Sequence, residues 1–229
     1  MANMLNLAES VQRRTTADVV FDYLHEEIAS LRLLPGTKLS ESEVAKRFNV
    51  SRQPVRDAFN RLENLDLLLI RPQRATEVRR FSLKRISHTR FIRLAVELEV
   101  IRNACLIWDE KCIELLEDNL QQQHQSVIDG QQDQFHRLDY LFHKLICELG
   151  DCPMAFDTIE GCKKKVTRLC VLSLDRKNEF ADLLDDHRQI ADALKFKSVE
   201  KATAATRHHL ARLDDTIRDI YAKHSEYFE

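Results

Sequence analysis

Residues 39–62 read LSESEVAKRFNVSRQPVRDAFNRL, a pattern that predicts two short helices joined by a tight turn. Ser40 is followed three residues later by a glutamate, the S-x-x-E spacing of a capping box at a helix start. Asn49 suits the left-handed residue that ends this first helix. Ser51 suits the N-cap of the second helix, and Pro54 falls in its first turn, where a missing backbone N–H costs nothing.

The second of these helices has the composition of a DNA-reading helix. Two short helices joined by about three residues resemble a helix-turn-helix, whose second helix enters the major groove with its N-terminal residues at the base edges. Arg52, Gln53 and Arg56 lie on the polar face of that helix. Arginine suits the guanine O6 and N7 atoms, and glutamine suits adenine N6 and N7. The pattern therefore predicts base contacts from this face.

A basic hairpin is predicted directly after the second helix. Leu67–Arg71 reads as one strand and Thr76–Phe81 as another, with a turn over residues 72–75. A hairpin at this place forms the wing of a winged helix-turn-helix. Residues 36–80 contain ten Lys/Arg and six Asp/Glu, a local balance of +4 against −2 for the whole chain. A solvated face on an ordinary small domain is the other interpretation, and the coincidence of charge, helix order and hairpin favours DNA binding.

Composition limits what the rest of the chain can be. At 229 residues it is long enough for one large or two small domains. Its four Gly and four Pro are few, which indicates a mainly α protein, and a doubly wound nucleotide fold is excluded because no glycine-rich phosphate loop is present. The longest apolar run, Ala104–Trp108, is too short for a membrane span, and no apolar leader opens the sequence. We therefore expect a cytoplasmic protein without a membrane partner.

The six cysteines carry no recognisable motif. No CxxC pair is present, so a zinc ribbon or a thioredoxin-like site is unsupported. Disulfides are expected in exported chains, and nothing here indicates export. The interpretation we favour is that these cysteines are small buried hydrophobic residues on helices.

Residues 82–229 are predicted to form an all-helical bundle. Apolar residues recur at helical spacing from His88 to Trp108, with Phe91 among those placed on the buried face. Further helices are predicted over residues 110–129, 133–149, 153–174, 180–196 and 199–222. The predicted domains are therefore residues 1–80, a winged helix-turn-helix, and residues 82–229, a bundle large enough to surround a cavity.

Acidic and histidine side chains in this bundle have the spacing of a metal site. Asp139 and His143 lie four residues apart, on one helix face. His187 and His209 lie on two later helices, and His209 is preferred to His208 because it shares a face with small alanines. Three histidines and a carboxylate would suit Zn²⁺, Ni²⁺, Co²⁺ or Mn²⁺. A histidine-rich bundle also gives such pairs by chance, so spacing alone leaves each histidine open as a surface or core residue.

The N-terminal stretch resembles the winged-helix head of GntR-type bacterial transcription regulators. That head usually reads L-S-E-x-x-L-A … V-S-R-x-P-V-R-x-A-L-x-x-L, and the match is most specific over residues 50–56, VSRQPVR. The resemblance implies that double-stranded operator DNA is the partner. It places Arg52 and Arg56 at the DNA-contacting arginines, with Ser51 and Gln53 beside them, and Arg74 at the basic wing tip.

Three positions depart from the usual head. Ser42 stands where the family often has an arginine, which removes one expected DNA contact. Asp66 and Ala75 stand where it usually has glycine. Because glycine tolerates a positive φ and alanine does not readily adopt one, Ala75 predicts an altered wing tip.

The C-terminal part is similar to the FCD effector domain of the FadR subgroup of these regulators. The matching pieces are Arg93–Glu97, Asp139–His143, Asp186–Ile190 and Ala202–Leu210. Many members hold a divalent metal ion with the acidic residue and three histidines of this pattern. Here those residues are Asp139, His143, His187 and His209.

The usual effector of this domain is a small organic acid. A metal ion with open positions can bind a carboxylate and an adjacent hydroxyl, and a nearby arginine can clamp the carboxylate. Arg93 matches the first-helix arginine of the family and is the first candidate for this clamp. Arg168 is a second candidate, and a solvated basic run is an equally good account of it.

The resemblance implies a ligand-responsive regulator, and a repressor in particular, that binds a near-palindromic operator as a homodimer. One alternative is a regulator for which the metal ion itself is the signal. Another is a metal-dependent hydrolase or lyase, but the sequence offers no general base for it and a DNA-binding head would be redundant. We therefore expect no enzyme.

Overall fold

The chain folds as two compact units. The computed structural model describes residues 14–173 and 179–229. The units are Met1–Arg80 and Phe81–Glu229, and each has its own hydrophobic core. The first unit combines helices with a small sheet, whereas the elements of the second are helical. The predicted fold class, a mainly α chain with a winged helix-turn-helix before a helical bundle, is confirmed.

Over residues 14–80, the first unit contains three helices and a three-stranded antiparallel sheet. Its elements are, in chain order, α1 Thr16–Ala29, β1 Lys38–Leu39, α2 Glu41–Phe48, α3 Arg52–Asn64, β2 Leu68–Leu69 and β3 Thr76–Val78. β3 is the middle strand, with Lys38 opposite Glu77 and Leu68 opposite Val78. The predicted hairpin is present as β2 and β3, with shorter strands than expected. β1 joins it from before the helix-turn-helix, which the sequence did not predict.

The core of the first unit lies between α1 and α3. Apolar residues at helical spacing on the two helices meet there, and each strand of the β2–β3 hairpin adds one residue. The buried core residues are Val20, Leu24, Ile28, Val44, Ala45, Val55, Ala58, Phe59, Leu62, Leu68 and Val78. Burying each of the larger of these side chains stabilises the fold by about 1.5–3 kcal/mol. This core holds α3 in place while leaving its polar face to solvent.

The predicted N-cap residues stand at the helix starts, but the predicted side-chain capping hydrogen bond is not formed. Thr15 caps α1 with a complete capping box to Asp18. Ser40 occupies the N-cap of α2, but its hydroxyl lies 2.7 Å from that of Ser42, so the predicted capping box is not formed. Ser51 is likewise at the N-cap of α3 without a side-chain capping bond. Asn49 adopts the predicted left-handed conformation, with φ 54°.

The wing tip is formed without strain at Ala75. Positive φ values occur at Asp66 (60°) and Gln73 (59°), and Ala75 is not among the residues with a positive φ. Asp66, where glycine is usual, therefore does adopt the glycine-like conformation. At the tip, the left-handed residue is Gln73, so the departure at Ala75 has no conformational cost of that kind.

The second unit is a bundle of long helices. They are α4 Leu83–Ile107, α5 Glu110–Ile128, α6 Gln132–Leu149, α7 Ala155–Cys170, α8 Glu179–Lys195 and α9 Val199–Lys223. α4 packs on α7 and α9, α5 packs on α6 and α8, and α8 packs on α9. The predicted segments agree with these bounds to within a few residues. The predicted apolar face of α4 is buried at Leu98 and Ile101 but is wrong at Phe91, which is 70% exposed, whereas the helix also buries Glu97.

The first residue of the second unit is joined to the last residues of the chain. The Phe81 N–H donates to the Tyr227 carbonyl at 2.8 Å, and the Glu229 N–H donates to the Phe81 carbonyl at 2.8 Å. The rings of Phe81 and Phe228 lie 5.4 Å apart, and the Arg168 guanidinium lies over the Phe81 ring at 4.5 Å. Phe81 is therefore held from two separate parts of the bundle.

Three of the five cysteines whose side chains are described are buried, as expected. Cys105, Cys147 and Cys162 are buried and free, Cys112 and Cys152 are free and partly exposed, and the Cys170 side chain lies outside the described residues. Burial raises the pKa of the Cys147 thiol to about 12, so it stays protonated at neutral pH. Within residues 14–173 and 179–229, no helix has both the length and the apolar character of a membrane span.

Candidate nucleic-acid interface and metal centre

The N-terminal half of α3 presents its polar side chains to solvent. Arg52 is exposed and has no ion-pair partner among the described residues. The Arg56 guanidinium lies on Glu41 of α2, with contacts of 3.1 and 3.2 Å, and it is 54% exposed. The Gln53 amide donates to Asp57 at 2.9 Å. Exposed ion pairs of this kind are worth about 1 kcal/mol or less, so DNA can replace Glu41 at Arg56.

The wing adds exposed basic residues beside this helix. Arg74 is exposed in the loop between β2 and β3, and Arg71 lies 3.3 Å from Glu77 on β3. Arg61, further along α3, is engaged inside the unit instead, at 2.8 Å from Asp18 and over the Phe21 ring. The side chains available to DNA are therefore those at the start of α3 and on the wing.

Four side chains from three helices converge inside the second unit. Asp139 and His143 come from α6, His187 from α8 and His209 from α9, and their ligating atoms all lie within 4.8 Å of one another. We call these four residues the histidine cluster. Nε2 of His143 is 3.6 Å and Nε2 of His187 is 3.4 Å from Oδ1 of Asp139. His208 is not a member of the cluster: its side chain is 64% exposed, and its Nε2 lies 3.6 Å from Oδ1 of Asp186.

Two of the imidazoles are held in place by buried polar side chains. Nδ1 of His143 lies 2.9 Å from Oε2 of Glu97 on α4. Nδ1 of His187 lies 2.8 Å from Oε1 of Gln123 on α5, and Gln123 in turn donates to Asn119 at 2.7 Å. A hydrogen bond at Nδ1 fixes the tautomer and leaves Nε2 as the ligating nitrogen. Both rings therefore direct Nε2 into the cluster.

His209 has an acidic neighbour shared with an arginine. Its Nδ1 lies 3.5 Å from Oδ2 of Asp186 on α8. Asp186 is buried and accepts a hydrogen bond from Arg212 of α9 at 2.8 Å. Burial alone would raise the pKa of Asp186, but His209 and Arg212 lower it to about 2. This carboxylate is therefore charged, and it joins α8 to α9 next to the cluster.

Asp139, His187 and His209 have the protonation states that a metal ion requires. Burial lowers the pKa of His187 well below its usual range, and burial also lowers the pKa of His209 against the opposite effect of Asp186. Burial alone would raise the pKa of Asp139, but the Lys163 ammonium and His143 hold it well below its usual range. His187 and His209 thus offer neutral imidazoles and Asp139 a carboxylate, the forms that bind metals.

The donor set fits a divalent transition metal. Nε2 of His187 is buried and has no hydrogen-bond partner among the described residues, a costly state unless a ligand occupies the position. Its distance of 3.4 Å from Asp139 Oδ1 is close to the roughly 3.3 Å between ligands of four-coordinate zinc. Three imidazoles and one carboxylate suit Zn²⁺, Ni²⁺, Co²⁺ or Mn²⁺. A metal bound there would act as a Lewis acid for a carboxylate ligand.

Two cations border the cluster. Arg93 of α4 donates through Nε to Glu97 at 2.5 Å, and its Nη2 lies 3.4 Å from Nε2 of His143. Lys163 of α7 contacts Oδ2 of Asp139. Arg93, the first candidate for the effector clamp, is thus placed beside a ligating nitrogen.

Arg168, the second candidate for the clamp, is a buried side chain of α7. It stacks on Phe81, and burial lowers its pKa to about 10. Lys163, five residues earlier on the same helix, is the basic residue of α7 that reaches Asp139. A basic run on a helix does not show from its sequence which member turns inward.

Two family models match the chain. The model for bacterial regulatory proteins of the gntR family matches residues 16–78, and the FCD domain model matches residues 89–212. The first match covers the unit with α3 and the wing. The second covers the helices that supply the histidine cluster.

Relatives and solved structures agree with these matches. The chain is 38% identical over 210 residues to the HTH-type transcriptional repressor RspR of Escherichia coli (strain K12), covering 91% of this chain and 92% of that protein. It is 25% identical over 236 residues to the gluconate operon transcriptional repressor of Bacillus subtilis (strain 168), covering 98% and 97%.

Among solved structures, E. coli McbR/YncC has a similar fold, with a TM-score of 0.66 at 20% identity over 91% of this chain and 99% of that one. Lar of Listeria monocytogenes gives a TM-score of 0.67 at 16% identity over 90% and 98%. At these identities the likeness concerns the fold alone.

Proposed function

Because this chain belongs to the GntR family of bacterial transcription regulators and carries an FCD domain, we propose that it is a repressor controlled by a small organic acid bound at a metal ion in its histidine cluster. Its family and relatives are DNA-binding regulators, not enzymes. We place its action in the cytoplasm, where a bacterial chromosome lies.

The start of α3 and the wing support DNA reading. Ser51, Arg52, Gln53 and Arg56 stand at or after the helix N-terminus, where a recognition helix meets base edges, and Arg74 on the wing suits a phosphate. One such head covers half of a near-palindromic operator, so the repressor acts as a homodimer. The relatives named as repressors support the direction of control.

The effector site is carried by one observation, the convergence of Asp139, His143, His187 and His209 in a unit that is separate from the DNA-binding head. The described ion pairs around these residues are balanced, so a divalent ion would add two positive charges. An organic acid supplies the matching negative charge. Arg93 beside His143 can bind its carboxylate by charge-assisted hydrogen bonds.

Fluorescence anisotropy with labelled DNA from upstream of the protein's own gene tests this function. We expect specific binding that organic acids change only in the zinc-loaded protein. Arg52→Ala and Arg56→Ala should each weaken operator binding by about 1–3 kcal/mol, the worth of one bidentate base contact. Arg218→Ala, an exposed arginine of α9, is the matched control. Operator affinity that neither α3 substitution changes would reject the assignment of this helix.

A second test concerns the effector. Arg93→Ala should weaken binding of a carboxylate effector by about 1.5–3 kcal/mol, since a charge-assisted hydrogen bond is lost. His143→Ala and His187→Ala should both lower the metal bound per chain. Native mass spectrometry with elemental analysis measures metal and copurified acid together. Full metal retention in both histidine variants would show that the ligands lie elsewhere.

A metal-responsive regulator is the second candidate. The complete set of four protein donors favours it, because such a set can close around an ion without an organic ligand. In that case zinc alone changes operator affinity and organic acids have no further effect. Titrating zinc into the metal-free protein with operator DNA, before and after adding acids, separates the two functions.

A further inference from the structure

Lys163 is the first of three consecutive lysines on α7, and its side chain reaches the histidine cluster. Successive helix residues point about 100° apart, so neighbours in the run face different surroundings. Lys164 is 70% exposed and pairs with Glu160 at 2.8 Å on the surface. The Lys163 side chain is only 20% exposed, and its ammonium contacts Oδ2 of Asp139. Lys163 therefore points into the bundle, whereas Lys164 lies on its surface.

The two oxygens of Asp139 have different neighbours. Oδ1 faces the imidazoles, at 3.6 Å from His143 and 3.4 Å from His187, whereas Oδ2 contacts the Lys163 ammonium. The carboxylate thus offers one oxygen to the cluster and the other to a cation. A carboxylate held in this way is kept in one orientation.

Lys163 also completes the charge balance around the cluster. The other two buried carboxylates beside it, Glu97 and Asp186, are each paired with an arginine. Asp139 takes its positive charge from Lys163. Because an unpaired buried charge is strongly unfavourable, each carboxylate needs such a partner when no other cation is present.

We propose that Lys163 is the counter-ion of Asp139 in the metal-free protein and that it weakens metal binding to the histidine cluster. A divalent ion that enters beside Oδ1 meets a carboxylate whose charge is already matched, and it is repelled by the ammonium on Oδ2. Lys163 therefore stabilises the metal-free protein and lowers the affinity that these four donors would otherwise have. This step rests on the proposed function: after metal binding, the excess positive charge at the cluster attracts the organic acid.

Zinc affinity measured by competition with a chromogenic chelator, without DNA or acid, tests this role. Lys163→Met should bind Zn²⁺ about 10-fold more tightly or better, since two like charges in a partly buried site repel strongly. Lys163→Arg keeps the charge and should stay close to the wild-type affinity. Lys164→Met, next in the run but on the surface, is the matched control and should leave the affinity unchanged.

Thermal unfolding covers the case in which Lys163→Met folds poorly without metal. The zinc-induced rise in melting temperature should be larger in Lys163→Met than in the wild type. The metal-free variant has no counter-ion for Asp139, whereas in the zinc-bound variant the zinc ion itself supplies the positive charge. A variant that folds only with zinc supports the proposal. An equal or smaller rise contradicts it.

Other outcomes overturn the proposal separately from the repressor function. Unchanged or weaker zinc binding by folded Lys163→Met removes the counter-ion role. Tightening by Lys163→Arg as large as that by Lys163→Met shows that charge is not the cause. No zinc binding by the wild type overturns the metal centre together with Lys163. Zinc affinities as expected, with no specific operator binding, leave Lys163 supported and reject only the repressor.

Discussion

Gln123 orients His187, although nothing in the sequence singles it out. It is fully buried, and its Oε1 lies 2.8 Å from Nδ1 of His187. We expect Gln123→Met, of similar size, to lower zinc affinity about 10- to 100-fold, because His187 then loses the bond that fixes its tautomer. Chelator competition measures the affinity. Gln122→Met, an exposed neighbour bonded to Asp118, is the control, and equal losses in both variants would contradict the role.

The buried histidines also predict how the metal-free protein responds to pH. His187 and His209 have pKa values lowered by burial, so the folded protein keeps them neutral where the unfolded chain binds protons, below the usual pKa of about 6.5. Their contribution to stability is therefore complete above pH 6.5 and is lost as pH falls through and below it. The free energy of unfolding should decline by up to about 1.4 kcal/mol per pH unit for each histidine.

Urea denaturation in the presence of a chelator at pH 7.5, 6.5 and 5.5 measures this dependence. His208→Gln changes an exposed histidine and should leave the profile as it is. A flat profile in the wild type would mean that His187 and His209 accept protons in the folded protein.

The sequence identified ligand candidates more readily than the residues that support them. The spacing of Asp139 and His143 and the family resemblance named the four cluster residues, which the fold brings together. Glu97, Gln123 and Lys163 come from other helices, and their roles depend on which helix faces which. That information lies in the packing of α4, α5 and α7 and has no local signature.

At the scale of elements, the turn between α2 and α3 rests on one left-handed residue. Asn49 has φ 54° and ends α2. Asn49→Ala should destabilise the protein by about 1 kcal/mol, since a Cβ disfavours this conformation, whereas Asn49→Gly should be nearly neutral. Chemical denaturation of the two variants gives the difference. Equal stability of alanine and glycine would show that the turn relaxes.

Helix positions were predictable because each helix repeats its apolar residues at a fixed period. The bounds of α5, α6 and α9 agree with the sequence to within a few residues. The predicted capping box at Ser40 is wrong, because the Ser40 hydroxyl has a competing partner in Ser42. The strand β1 was missed because two residues carry no period and pair only with a strand far along the chain.

The whole molecule separates a basic, exposed head from a buried, charge-balanced centre, so the two should respond differently to salt. Operator affinity should fall about 10³- to 10⁵-fold between 50 and 200 mM salt if the proposed homodimer makes 6–10 phosphate contacts. Zinc affinity at the buried cluster should change far less, because ions screen buried charges weakly. Anisotropy and chelator competition at matched salt concentrations measure both. A shallow salt dependence of operator binding would contradict a phosphate-bound head.

The pairing of Phe81 with Phe228 sets an order of events during synthesis on the ribosome. The core of the first unit uses residues up to Val78, so it can form while the rest of the chain is still being translated. The bundle cannot close on its own first residue until residue 228 has emerged. A nascent chain would therefore carry a folded DNA-binding head well before its helical bundle is complete, and the two units are completed one after the other.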